Sequence, residues 1–405
     1  MNFDEAQALE RQYLLNLYTP IRMPMVMARG EGARLWDTEG REYLDFVSGG
    51  RAVTGLGHCH PRVVEALRKQ AGQLLHVSND FYSEPQMLLA RRLGGLFGGR
   101  CFFCNSGAEA NEAAIKLARK RAYKASGQEK HEIVTALKSF HGRTMGALAA
   151  TGQPKYHHGF QPLPAGFVHV PFNDIEALKG AVGASTCAVM LEPILGESGV
   201  YPATPEYLTA ARELCDCAGA TLIFDEVQTG LGRTGKMFGY EHFGVEPDVI
   251  TLAKGLGAGV PIGAMLAREP AASAFEPGDH ASTFGGSALP AAVALAVLDA
   301  MEEEGVLENA RLVGARLAEG LRGIQAKTPL VEGIRAWGMM IGVDLSRPVA
   351  AAVKDRCAAR GLLIITVGDR MLRLLPPLIL RPEEADRGVA LLAEALSEFD
   401  GSGAT

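Results

Sequence analysis

Two short apolar runs, each ending in an ionisable residue, constrain this chain more than any other feature. Thr221-Leu222-Ile223-Phe224 leads into Asp225, and Val249-Ile250-Thr251-Leu252-Ala253 leads into Lys254 ahead of the glycine-rich stretch Gly255–Gly263. Runs of this length, rich in β-branched and large apolar residues and lacking a helical period, read as buried strands. The pattern predicts strands over Thr221–Val227 and Val249–Ala253. A carboxylate and an amine at the ends of buried strands are costly to desolvate unless each has a partner or a task. In an open α/β sheet the carboxyl ends of the strands face the ligand crevice. One chemistry uses both groups there: a lysine holds an aldehyde cofactor as a Schiff base, and a carboxylate pairs with the protonated pyridine nitrogen of that cofactor. The pair therefore points to pyridoxal 5'-phosphate.

The surrounding sequence alternates helix and strand from about Arg62 to Phe284. Helices are expected at Arg62–Leu75, Pro85–Leu96, Ala108–Ala125, Asp174–Val182 and Pro205–Ala218. Further strands are expected at Arg100–Cys104, Glu132–Leu137, Phe167–Val170, Thr186–Leu191 and Ala264–Ala267. Such alternation predicts an α/β fold with a mostly parallel sheet covered by helices on both faces. Before it, Phe3–Leu15 reads as a polar helix, and the turn Thr38-Glu39-Gly40 between Arg34–Asp37 and Glu42–Phe46 reads as a hairpin. After it come a long helical region over 288–324 and a smaller α+β domain. In that domain strands are expected at Val331–Glu332, Met340–Asp344, Leu362–Ile365 and Met371–Leu374, and helices at 348–360 and 382–398. The expected division is 1–60, an N-terminal segment joining the small domain; 61–300, the large domain; and 301–405, the C-terminal small domain. Gly401–Thr405 is expected to fray.

Composition excludes several classes. A net charge of −6 over 405 residues gives no nucleic-acid footprint. The first ten residues carry Asp4, Glu5 and Glu10 and no apolar core, unlike a signal peptide. The most apolar helical stretch, Ala291–Leu298, is cut by Asp299 and is too short to span a bilayer. A cytoplasmic location is expected. Cys101-Phe102-Phe103-Cys104 has metal-like spacing without a second pair, and reads as a buried strand with free thiols. Cys215 and Cys217 read as small core residues. His58-Cys59-His60-Pro61 reads as a loop ended by a proline that opens a helix. No metal site is expected.

Other segments offer chemistry when considered with Asp225 and Lys254. Asn105-Ser106-Gly107-Ala108-Glu109 follows a strand and opens a long helix, where free N–H groups and the helix dipole favour a phosphate. An ordinary N-cap is the alternative. In Phe140-His141-Gly142-Arg143 an aromatic ring could stack on a flat ligand while the guanidinium clamps a carboxylate; a surface loop arginine is the ordinary reading. Glu192 and Glu197 follow another apolar strand. Arg373 stands in an apolar strand-like run, where a snorkelling rim residue is the common case. Ser282-Thr283-Phe284-Gly285-Gly286 offers hydroxyls and open N–H groups to an anion. The glycines after Lys254 do not form a dinucleotide fingerprint, since Val260 and Ile262 occupy the third-glycine positions.

With these motifs assembled, the chain resembles the class III aminotransferases, which have fold type I among pyridoxal-phosphate enzymes. Asn105–Glu112, Phe140–Thr144, Glu192-Pro193, Asp225–Gly230, Gly232–Gly235 and Lys254-Gly255 stand in that family's order, and the likeness runs from about Tyr18 to Val389. It is most similar to the acetylornithine aminotransferases, through Gly57–Pro61, Gly152–Tyr156, His169–Asp174 and Gly338–Gly342. The resemblance implies transfer of the ω-amino group of N-acetylornithine to 2-oxoglutarate by a ping-pong route, in arginine biosynthesis. It implies that Lys254 holds the cofactor and shuttles the proton, and that Asp225 pairs with the ring nitrogen. Val227 and Phe140 would pack on the ring, and Gln228 would approach its hydroxyl. Ser106, Gly107 and Ala108 would hold the phosphate, with Thr283 adding a contact from a second subunit of a homodimer. Arg143 would bind a substrate carboxylate, with Ser282 near the substrate, and Glu197 with Arg373 would form a gate for two kinds of substrate. Departures from the family pattern are Leu195 for Gln, Ser198 for Gly and Ser287-Ala288 for Asn-Pro. An extra residue and an arginine also stand in Ser48-Gly49-Gly50-Arg51. Succinylornithine, ornithine, 4-aminobutyrate and carrier-bound aminoadipate semialdehyde aminotransferases remain alternatives, as do an aminomutase and a non-catalytic binding protein.

Overall fold

The computed structural model describes residues 1–18, 22–127 and 130–399; the tail expected to fray lies outside them. Seven strands form the central sheet, in the spatial order Arg100–Cys104, Gly263–Ala267, Val249–Leu252, Thr221–Asp225, Thr186–Leu191, Glu132–Ala136 and Phe167–Val170. Neighbours from Val249–Leu252 to Phe167–Val170 are all parallel, and Gly263–Ala267 runs antiparallel to both of its neighbours. The four strands that begin at Thr186, Thr221, Val249 and Gly263 are buried along their whole length. Burial on both faces is why they read as unbroken apolar runs. Alternate residues feed two cores. Leu222 and Phe224 pack with Tyr207 and Leu208 of the helix Pro205–Ala218, whereas Ile223 packs with Ala113 and Ile115 of the helix Gly107–Ser126.

The fold class matches the expectation, and the differences lie at element ends. The first key strand stops at Asp225 rather than Val227, and the second at Leu252 rather than Ala253. Asp225 Oδ1 accepts the N–H of Val227 at 3.0 Å, which turns the chain out of the sheet. Lys254 has φ of +44°, outside extended backbone. The helix expected to reach Leu75 ends at Ala71, before Gly72. The long helical region is two helices, Ala288–Glu303 and Val306–Gln325, parted by Gly305 at φ +64°, where a side chain would be strained. Cys215 is buried as expected, but Cys217 is exposed on the solvent side of its helix. Cys101 and Cys104 stand in the edge strand Arg100–Cys104 as free thiols, which burial pushes up to about 12.

The expected hairpin is present, and Met27–Glu31 extends it. Leu362–Leu363 then pairs in parallel with Leu44–Asp45. The single strand expected over Leu362–Ile365 is split at Ile364, because Ile365–Val367 joins Met371–Leu374 in a different sheet. Val331–Trp337 and Met340–Leu345 complete that second sheet. The two ends of the chain thus share one sheet. On that basis we propose that residues 1–60 and 301–405 form one smaller domain beside 61–300.

Candidate active site

A cavity of about 420 Å³ opens where Thr221–Asp225 and Val249–Leu252 end. Asp225, Val227, Gln228 and Lys254 line it from those two strand ends. Ser106, Gly107 and Ala108 line it from the start of the helix Gly107–Ser126, and Phe140, Arg143 and Glu197 from loops. The shortened strands explain this. With Val227 and Gln228 in sheet register, one of them would face away; in the turn, both face the cavity.

Asp225 is held by donors of fixed position. Asn111 Nδ2 and His141 Nδ1 each donate to Oδ2 at 2.8 Å, and the Val227 N–H holds Oδ1. Asn111 is fixed in turn: Nδ2 also donates to the His141 carbonyl at 2.6 Å, and Oδ1 accepts from Thr251 Oγ1 at 2.7 Å. A helix, a loop and both key strands therefore meet at one carboxylate, which is almost fully buried. Its neighbour Glu226 points the other way and is engaged structurally, accepting the N–H groups of Gly239 (2.9 Å) and Tyr240 (2.7 Å). Only one of the two adjacent acids serves the cavity.

Lys254 faces this carboxylate across the cavity. Burial pushes its amine below the ordinary lysine range, opposed by Glu197, Asp225 and Glu192. A lowered amine pKa makes a better proton acceptor near neutrality.

The anion cradle is also present. The side chain of Ser106 caps the helix by accepting the Glu109 N–H at 3.2 Å. The N–H groups of Gly107 and Ala108 lie in the first turn, where no intrahelical acceptor exists. A Cβ on Gly107 would lie 2.7 Å from Val227 Cγ1, so only glycine lets Val227 close over the cradle. In the wall, Gln228 Oε1 is buried without a partner among the described residues. That orphan acceptor calls for a hydroxyl donor on whatever fills the cavity. An acid for a ring nitrogen, an amine for an aldehyde, a phosphate cradle and an acceptor for a ring hydroxyl together fit pyridoxal phosphate.

At the far end Glu197 is held between two arginines. Its Oε1 accepts from Arg373 Nη2 at 2.9 Å and from Gln228 Nε2 at 3.1 Å, while Oε2 pairs with Arg51 Nη1. Burial raises the Glu197 pKa, but Arg373, Arg51 and Lys254 outweigh it and hold the carboxyl at about 2. Arg373 is not a rim residue with a snorkelling stem. It is wholly buried, lies behind Glu197 and does not line the cavity. Arg143, by contrast, is exposed at the cavity, its guanidinium 4.0 Å from the ring centroid of Tyr156 and 5.6 Å from that of Phe140.

Ser282 and Thr283 are not brought into this cavity. They line a separate hollow with Phe102, Cys104, Glu109 and Phe284, and Thr283 is exposed there. Several working residues escaped the sequence reading. Asn111 and His141 were quoted inside motifs without a role. Glu192 is buried and pushed up to about 7 by that burial, and it accepts the N–H groups of Phe140 (2.8 Å) and Gly196 (3.1 Å). It ties the Phe140 wall to the Glu197 loop. A buried acid directly after an apolar strand was the one available signal for it.

Comparison with known proteins agrees with this geometry. A protein named acetylornithine aminotransferase from Caldanaerobacter subterraneus subsp. tengcongensis is 53% identical over 391 residues, covering 96% of this chain and 98% of that protein. One of the same name from Methanocaldococcus jannaschii is 48% identical, again over 96% and 98%. Among solved structures, the ornithine aminotransferase of Toxoplasma gondii ME49 superposes with a TM-score of 0.95 at 33% identity, covering 100% of this chain and 97% of that one. The acetylornithine aminotransferase of Elizabethkingia anophelis gives 0.87 at 33% identity, covering 98% and 100%. The family profile described as aminotransferase class-III matches residues 18–396, and the chain belongs to that family.

Proposed function

We propose that the protein transfers the ω-amino group of N-acetylornithine to 2-oxoglutarate, giving N-acetylglutamate semialdehyde and glutamate, as a step of arginine biosynthesis. The observation that carries this reading is the pair Asp225 and Lys254, on adjacent strand ends, facing one cavity beside an anion cradle. The choice of donor rests on relatives near 50% identity that bear the acetylornithine name. Bound pyridoxal phosphate would supply a carbonyl that takes up the amino group and a ring that accepts electrons. Lys254 Nζ, its pKa lowered by burial, takes a proton from the amine-bearing carbon of the donor and holds it for redelivery. Asp225, at the cavity floor, would pair with the pyridine nitrogen of that group and hold its proton. Phe140 and Val227 line the cavity and would pack on the ring of that group, excluding water. Arg143 is free to clamp the donor carboxylate, and Arg373, once released by Glu197, takes a carboxylate of the acceptor.

The same reading makes the protein a homodimer with Ser282 and Thr283 serving the site of the other copy. Exposed Leu75, Phe81, Tyr82 and Phe284 support it, since such apolar surface beside the Thr283 hollow suits a covering partner. The reading is cytoplasmic, which suits seven cysteines that are all free thiols. Among the described residues no helix is long and apolar enough to cross a membrane.

Borohydride reduction of the cofactor-loaded protein, followed by peptide mass mapping, should find a pyridoxyl adduct on Lys254. Lys254→Ala should lose both adduct and turnover. An adduct elsewhere, or turnover in that variant, overturns the reading. A donor panel with 2-oxoglutarate should rank acetylornithine above succinylornithine, ornithine and 4-aminobutyrate, with parallel double-reciprocal lines.

A further inference from the structure

Arg51 lies on an unusual piece of backbone. From Ser48 to Ala52 every residue has positive φ, and three of the five, Ser48 (+46°), Arg51 (+88°) and Ala52 (+64°), are not glycine. Such a run is strained and persists only where its surroundings fix it. Here they do. Asp45 accepts the N–H groups of Val47 and Gly49 at 2.8 Å each, and Ser48 Oγ donates to the Leu375 carbonyl. Ala52 is buried against Ile194 and Val200, which flank the Glu197 loop. The turn carries the Arg51 guanidinium onto Glu197 Oε2, on the side opposite Arg373.

The two arginines are not equivalent. Arg373 is 0% exposed, whereas the Arg51 side chain is 46% exposed. When an incoming carboxylate takes Arg373, Glu197 must leave it. A buried carboxylate that leaves its one cation and finds no second partner is left as an uncompensated buried charge, which is strongly unfavourable. Arg51 already holds the other oxygen. We propose that Arg51 is a specificity-determining residue that retains Glu197 while Arg373 binds a dicarboxylate acceptor. The structure corresponds to the state with Glu197 shared between both arginines, in which the buried Arg373 charge is matched by Glu197 and the second positive charge, on Arg51, is half exposed to solvent. With the acceptor bound, Glu197 stays paired to Arg51 alone, and no bare charge is buried in either half of the cycle. This rests on the aminotransferase reading of the site, and it assigns to Arg51 the balance between the two substrates.

Arg51→Gly removes the guanidinium and relieves the left-handed strain, so it leaves the fold intact. Arg51→Lys keeps the charge on the same backbone. The test is steady-state kinetics of the cofactor-loaded enzyme, together with calorimetric titration of glutarate, an unreactive dicarboxylate. Arg51→Gly should raise both the KM for 2-oxoglutarate and the Kd for glutarate about tenfold, the scale of one lost charge partner, with the donor KM within about twofold. Arg51→Lys should restore most of both. An unchanged glutarate Kd in Arg51→Gly, or a donor KM that rises as much as the acceptor KM, overturns the proposal. If the wild-type protein transfers no amine to 2-oxoglutarate, the functional reading fails by itself, and the glutarate comparison still decides the role of Arg51.

Discussion

The two ends of the cavity hold their carboxylates in opposite ways. Asp225 is gripped by an amide, an imidazole and a backbone N–H that are themselves anchored on the sheet, a helix and a loop. Glu197 is gripped mainly by charge, between Arg51 and Arg373, with one amide contact from Gln228. Donors of fixed geometry suit a group that keeps one ligand throughout a catalytic cycle. Ionic partners suit a group that must be exchanged, because an arriving carboxylate can replace one carboxylate by another without stranding the arginine. One end is built to stay and the other to trade.

Three changes would break or sharpen that contrast. Asp225→Ala removes the permanent charge and should lower kcat/KM by roughly 10³-fold, the scale of losing one preorganised electrostatic partner. Wild-type turnover in that variant would end the claim that the fixed end matters to chemistry. Arg373→Ala acts on the exchangeable end and should raise the KM for 2-oxoglutarate by about a hundredfold while the donor KM changes far less, since a buried carboxylate loses its cationic partner. Equal effects on both substrates would remove the exchange from the account. The smallest effect is on stability. The Glu197 carboxyl is held at about 2 in the fold, against 4.5 for the free group. The folded form therefore binds its proton less readily than the unfolded form. Its contribution is present above pH 4.5 and is lost as the pH falls towards 2, and it amounts to at most about 3 kcal/mol. Glu197→Gln should flatten the fall in the urea midpoint between about pH 5 and pH 2.5; an equal fall in both proteins would show that the ionic grip adds nothing to stability.

The sequence displayed the fixed end better than the exchangeable one, for a physical reason. Asp225 and Lys254 stand out because each ends an apolar strand, and burial on both faces prints those strands as continuous runs. The mostly parallel sheet was likewise foreshadowed by the alternation of strands and helices. The supports of Asp225 left no such local mark. Asn111 is inside a helix, His141 is in a loop and Thr251 is inside a strand, and they meet only because the topology joins distant segments. Element ends were the other blind spot. The apolar run predicts a strand through Val227, whereas the Asp225 side chain takes the Val227 N–H and ends it two residues earlier, a turn that an apolar pattern does not reveal. Arg51 was visible as an oddity of its segment, yet nothing in the sequence said that its guanidinium reaches Glu197. Arg373 shows the limit of local context: an arginine in an apolar run reads as a rim residue until its carboxylate partner, from a remote loop, is known.

The parallel pairing of Leu362–Leu363 with Leu44–Asp45 has a consequence for biosynthesis. During translation the hairpin that ends at Asp45 leaves the ribosome early, with one of its edges bare. The strand that covers that edge lies more than 300 residues further along the chain and emerges that much later. Until then the nascent chain carries an open strand edge, a template for mispairing, so the earlier segment depends on the later one for its cover.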